Sequence, residues 1–314
     1  MDMEQQYRQI PPMPEDYGKR IWYLWGPVIL KAAIGIGVGM IAMGVLTMMY
    51  MMVDQDMAMA VMQNEDEMLK LYDKILEQYI GASTVIEGVA AVITIPIMLF
   101  FFHRDRVKEK QMGVIPNRKA PLWKYAAGLL MALALCLGLN NLIAIGNLSK
   151  MSEAYEETIG AFYSSPLPVQ VIALGILAPV CEELVYRGLL FKRLRERGTY
   201  LQAALYSAMV FGFAHMNMVQ MLYGVFTGMM LAYLYEKYGS VKAPIAAHIA
   251  MNLLSVLGTE YHLLDWLLAD KMRVGIVTVV CAFVASTMFL LVQRIEERPD
   301  RPDTPGENEN LASA

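Results

Sequence analysis

Cysteine is scarce in this sequence and unpaired in pattern: Cys136, Cys181 and Cys281 each lie in an apolar run, with neither metal-ligand spacing nor a disulfide framework. They read as packing residues. Histidine numbers only four, and no HExxH helix is present to set two zinc ligands and a base on one turn. An excess of basic charge is also missing. The chain has 26 Lys and Arg against 30 Asp and Glu, a formal charge of -4 and a pI near 5.7, with its basic residues in short loops and no single patch. This speaks against nucleic acid as a partner. Charged residues of either sign make up 18% of the chain against 56% hydrophobic, with a mean hydropathy of +0.39, which is more apolar surface than a soluble domain can hide. The bilayer is the expected solvent.

Apolar runs of membrane-spanning length occur at 22–53, 82–102, 123–146, 166–192, 201–217, 219–236, 241–258 and 273–293. The sequence therefore predicts an all-α, polytopic, integral membrane protein with about eight transmembrane helices. The first run exceeds a signal-peptide core and lacks a small-residue cleavage site, so it is expected to remain. Many of the 26 methionines lie in these runs, where a flexible thioether fills gaps between helices.

Orientation follows from Lys and Arg in short loops. The segment 103–124 holds Arg104, Arg106, Lys108, Lys110, Arg118, Lys119 and Lys124, so it should be cytoplasmic. Counting spans from it places Lys19 and Arg20, the Lys192, Arg193, Arg195 and Arg197 cluster, and the turn from Lys237 to Lys242 on the same side, with both termini cytoplasmic. Alternate loops are acidic, with Asp54, Asp56, Glu65, Asp66 and Glu67 in one and Glu153, Glu156 and Glu157 in another. Met68, Leu71, Tyr72, Ile75, Leu76 and Tyr79 recur at helical spacing, as in an interfacial amphipathic helix or an extension of the next span.

The organisation expected is a cytoplasmic segment 1–21, transmembrane helices with acidic outer loops over 22–165, a helical core over 166–258, an outer loop and last helix over 259–293, and a disordered cytoplasmic tail over 294–314. That tail is rich in Pro, Asp, Glu and Asn and has little to bury.

Ionisable side chains inside a span are costly and call for a partner or a function. The fourth run holds Glu182, Glu183 and Arg187. Glu183 and Arg187 are four apart with the acid nearer the N-terminus, the favoured order for an ion pair on one helix face. Glu182 points about 100° away, without its own local cation, and a poorly compensated buried carboxylate suits a general base. The fifth run carries Phe211 and His215, and the seventh carries His248 and Asn252 on one face. Measured from the cytoplasmic ends of their runs, Glu182, His248 and Asn252 lie at depths of about 15, 10 and 16 Å, and His215 at about 21 Å, deeper than the rest. Glu87 and the pair Asn140 and Asn141 are expected to bond neighbouring helices, and Gly224 and Gly228 to allow close helix packing.

The motifs EExxxR over Glu182 to Arg187, FxxxH over Phe211 to His215 and HxxxN over His248 to Asn252 resemble, in order and spacing, those of the CAAX prenyl protease and bacteriocin-processing (CPBP or Abi) family. The resemblance covers about 166–258, and it makes that helical core the catalytic one. It implies an intramembrane endopeptidase of the glutamate type, in which Glu182 and His215 activate water. By the same resemblance His248 and Asn252 would position that water or stabilise the oxyanion, while Glu183, Arg187 and Phe211 would give structural support. A peptide or membrane-protein substrate and the lipid bilayer are the partners implied, with prenylated proteins and leader peptides among the substrate classes. No cofactor is required by this reading. A divalent metal such as zinc is the rival, with Glu182, His215 and His248 as its three ligands. Gly212, Pro179 and Pro244 are the expected places of backbone irregularity along a water-filled cavity. The alternative function is a non-proteolytic scaffold, immunity factor or transporter. A chain that had lost catalysis should have replaced one of the four polar residues, and none is replaced.

Overall fold

The computed structural model describes residues 16–53, 59, 64–113, 120–148 and 152–295, and these are helical with no strand among them. The expected tail from Glu296, most of the N-terminal segment, and Asp54, Asp56, Arg118 and Lys119 lie outside the described residues. In chain order the helices are α1 (Tyr17–Val53), α2 (Glu65–Gly81), α3 (Ser83–Gln111), α4 (Tyr125–Ile145), α5 (Glu153–Tyr163), α6 (Leu167–Arg195), α7 (Tyr200–Phe213), α8 (Met218–Tyr238), α9 (Lys242–Glu260), α10 (Leu263–Leu268) and α11 (Lys271–Gln293).

Six of them, α1, α3, α4, α6, α8 and α11, are long and apolar enough to cross a membrane, α4 counted with the short 3₁₀ turn Leu122–Lys124 before it. All eight runs expected from the sequence are helices, but α7 has only 14 residues and α9 carries His248 and Asn252, so these two fall outside the set. The protein is a multi-pass membrane protein. Large apolar side chains such as Ile41, Met40, Val279 and Phe283 are exposed on α1 and α11, as lipid-facing positions require.

Local chemistry sets the helix ends. Asn64, Ser152, Asn217 and Asp270 cap α2, α5, α8 and α11 with side-chain oxygens on free backbone N–H groups, and Thr199 with Gln202 forms a capping box on α7. Gly239, in the left-handed region at φ 63°, ends α8. The amphipathic stretch forms its own helix, α2, separated from α3 at Ala82 and burying Leu71 and Ile75.

The core joins α4, α8, α9 and α11 around Met131, Leu231, Leu234, Tyr238 and Met251. A second cluster packs Leu184, Val185, Leu189 and Leu190 of α6 against Met98 and Phe211. The basic end of α6 is more than loop charge. Arg193 is buried and pairs with Asp105 of α3 at 2.7 Å while lying over the ring of Tyr23 of α1, and Lys192 meets Glu109 at 2.6 Å. These pairs fix the end of α6 to α1 and α3 and so set the height of the polar residues two turns and more above.

Candidate active site

Helix α6 is not uniformly α. Two π stretches, Val171–Leu177 and Leu184–Phe191, flank the α turn Ala178–Glu183. In π geometry each N–H bonds the carbonyl five residues back, and the Ala178 N–H does so to Ala173. The next donor in that register is Pro179, which has none, so the Leu174 carbonyl loses its partner. Asn252 of α9 supplies one: its Nδ2 donates to Leu174 O at 2.8 Å. Irregular backbone thus lies on both sides of the α turn that carries Pro179, close to where the sequence led one to expect it, whereas Gly212 and Pro244 lie within regular helices.

Adjacent carboxylates on α6 have different surroundings. Glu183 is fully buried, and its Oε1 accepts from Arg187 Nη1 at 2.7 Å and from His248 Nδ1 at 2.8 Å. The expected pair along one helix face is present and is extended to α9. Arg187 also lies over the face of Phe211 at 4.4 Å. Phe211 in turn meets both imidazoles edge-on, with ring centres 5.0 Å from His215 and 5.8 Å from His248. Room for this layer comes from glycine. A methyl on Gly228 would sit 3.0 Å from Arg187 Nη2, and one on Gly212 2.6 Å from the Met221 carbonyl, so α7 and α8 approach closely here, as the glycine spacing implied.

Glu182 keeps a partly open carboxylate. Its Oε2 lies 3.8 Å from His248 Nε2, too long for a direct hydrogen bond, and its Oε1 lies 3.9 Å from Lys31 Nζ of α1. The cation nearest Glu182 thus comes from another helix and not from α6, where motif spacing gives no sign of it. One signal existed, since Lys31 is the lone charge in the run 22–53.

His215 is also placed differently. α7 ends at Phe213, so the imidazole is carried by the turn into α8 and not by the body of a span. Its Nδ1 donates to the Phe211 carbonyl at 3.0 Å. That bond fixes the proton on Nδ1 and leaves Nε2 as the acceptor. In His248 the bond from Nδ1 to Glu183 does the same.

A cavity of about 420 Å³ joins these groups, with Glu182, His215, His248 and Asn252 all on its wall together with Lys31 and Glu87. Glu87 thus belongs to the cavity and not only to helix contact. Asn140 also lines it, bonding its own helix at the Cys136 carbonyl at 2.9 Å, while Asn141 bonds Thr278 of α11 at 3.1 Å as expected of a helix-to-helix contact. Tyr163 of α5 also lines the cavity, with a hydroxyl whose pKa burial pushes up to about 12, so it is neutral at physiological pH. All three cysteines are free and buried, as packing residues.

Among the described residues no three of His, Cys, Asp and Glu converge closely enough to hold an ion, and the proposed set Glu182, His215 and His248 is not gathered into one.

Residues 164–254 match the family described as type II CAAX prenyl endopeptidase Rce1-like. The matched residues include the whole Glu182, His215, His248 and Asn252 set. The Rce1-like segment starts just before α6 and ends within α9, so α1 and α3, which bring Lys31 and Glu87, lie outside it. The chain is also similar to YdiL of Bacillus subtilis (strain 168), provisionally named a membrane peptidase, at 30% identity over 113 residues, which are 36% of this chain and 44% of that one. The chain therefore spans less than half the length of that curated relative. No solved structure matches it.

Proposed function

We propose that this chain is an intramembrane endopeptidase of the CAAX-protease-like kind, in which Glu182 and His215 activate water against a peptide bond of a membrane-associated, prenylated or leader-peptide substrate. The observation that carries the reading is the meeting of Glu182, His215, His248 and Asn252, from three separate parts of the chain, on one cavity inside a bundle of membrane-length helices. The match of 164–254 to the Rce1-like family supports it.

Glu182 takes a proton from water as the water oxygen attacks the scissile carbonyl carbon. The Nε2 of His215, free because Nδ1 is committed to the Phe211 carbonyl, accepts or relays that proton towards the leaving nitrogen as the C–N bond breaks. Charge developing on the carbonyl oxygen is met by His248, which can donate from Nε2 when protonated between Glu183 and Glu182, and by the second N–H of Asn252, the first being held by Leu174. The reading is metal-free, so cleavage should continue in excess chelator. Loss of cleavage that added zinc restores would overturn that part.

The main test compares the membrane peptidome of cells carrying the wild-type chain with cells carrying Glu182→Ala or His215→Ala. New termini present with the wild type and missing with both variants are expected, and they also name the substrate. A non-proteolytic scaffold or transporter would give the same termini in all three strains.

A further inference from the structure

Resting on that reading, we propose that Lys31 of α1 is a positioning residue for Glu182, holding its carboxylate ionised and facing the cavity, with Glu87 of α3 as the alternative acceptor for the same ammonium. Both residues lie outside the Rce1-like segment. Lys31 is the lone charge in an apolar run of α1, where it is costly without a function, and its Nζ lies 3.9 Å from Glu182 Oε1 with both side chains only partly exposed.

Every charged or titratable group near Glu182 bears on the argument. Glu183 and Arg187, on its own helix, neutralise each other at 2.7 Å. Cys181 and Tyr186 flank it on α6, while His215 approaches from the turn after α7 and His248 from α9. Glu87 approaches from α3, near enough to interact electrostatically with both Glu182 and Lys31. With Arg187 committed to Glu183, Lys31 is the permanent cation left for Glu182, the imidazoles being charged only when protonated. When Glu182 takes the proton from water its hold on the ammonium weakens. Glu87, on the same cavity wall, then keeps Lys31 compensated until the proton leaves for the amine.

The test reads the protonation of Glu182 without needing a substrate. The full-length protein in phospholipid vesicles is treated with dicyclohexylcarbodiimide, an apolar reagent that attaches to protonated carboxyl groups in membranes, from about pH 4 to about pH 8. Labelling of the peptide containing Glu182 is followed by mass spectrometry. An opposite charge at this range favours the ionised carboxylate, so Lys31→Met should raise the labelled fraction near pH 7 by about tenfold or more. Lys31→Arg should return it to the wild-type level, and Glu87→Gln, which removes the competing acceptor, should lower it across the acid limb. Equal labelling in wild type and Lys31→Met overturns the proposal, as does an Arg variant that labels like the Met one. If Lys31→Met does not fold, the Glu87→Gln arm decides: an unchanged profile overturns the proposal. Because labelling requires no turnover, this result and the peptidase reading can fail separately.

Discussion

α1 and α6 are both apolar enough to cross a bilayer, yet only 6% of the spanning window of α1 is buried within the protein against 56% of that of α6. The difference decides where polar groups can collect. A helix wrapped by protein can surround each charge with partners, and α6 carries Glu182, Glu183, Arg187, Lys192 and Arg193, each with a partner on α6 itself, α1, α3 or α9. A helix facing lipid has no such shell. The run of α1 from 22 to 53 tolerates one charge, Lys31, on the side turned to the site. Glycine shows the same contrast: Gly212 and Gly228 are in contact with neighbouring helices, whereas Gly35, Gly37 and Gly44 of α1 have nothing within 4 Å.

The largest effect expected is at Arg187. Arg187→Met leaves Glu183 buried without its guanidinium, and breaking such a pair costs about 3–5 kcal/mol. Thermal unfolding in detergent should show a clear loss of stability and yield. An unchanged melting curve would mean that α6 does not depend on its charged layer. Next, Gly212→Ala pushes a methyl to 2.6 Å from the Met221 carbonyl, and overpacking of this kind costs about 1–3 kcal/mol. A well-folded variant of wild-type stability would show α7 and α8 to be looser than described.

Of similar size is the bond from Asn252 to Leu174. Asn252→Ala leaves the part-buried Leu174 carbonyl without that donor, at about 1 kcal/mol. Since Pro179 created the need for that donor, the loss should shrink in a Pro179→Ala background, where a backbone N–H returns. A double-mutant cycle measures this, and full additivity would contradict the account. The smallest effect belongs to α1. Gly35→Ala meets no atom and gains helix propensity, so stability should be unchanged or up to about 1 kcal/mol higher. A marked destabilisation there would make α1 part of the packed core and erase the contrast.

Much of this was legible in the sequence, for particular reasons. Groups on one helix obey fixed spacing, so the Glu183 and Arg187 pair and the shared face of His248 and Asn252 could be read directly, as could the helical runs themselves. Partners from other helices obey no such spacing. Lys31 and Glu87 stand about 150 and 100 residues before Glu182 in the chain, and only the packing of α1, α3 and α6 brings them to it. The π register of α6 was hidden for a related reason: Pro179 marks an irregularity, but which carbonyl it strands depends on which register the helix adopts. His215 was assigned to a span because apolar residues continue past it, and run length cannot tell a helix from the turn that ends it.

The central claim is that Glu182 does chemistry while its neighbour Glu183 holds the structure. Glu182→Gln and Glu183→Gln, prepared side by side in the same membranes, test it when melting temperature and substrate termini are measured together. The account predicts that Glu182→Gln melts close to wild type and produces none of the wild-type termini, whereas Glu183→Gln is destabilised. Wild-type termini from a folded Glu182→Gln protein would contradict it.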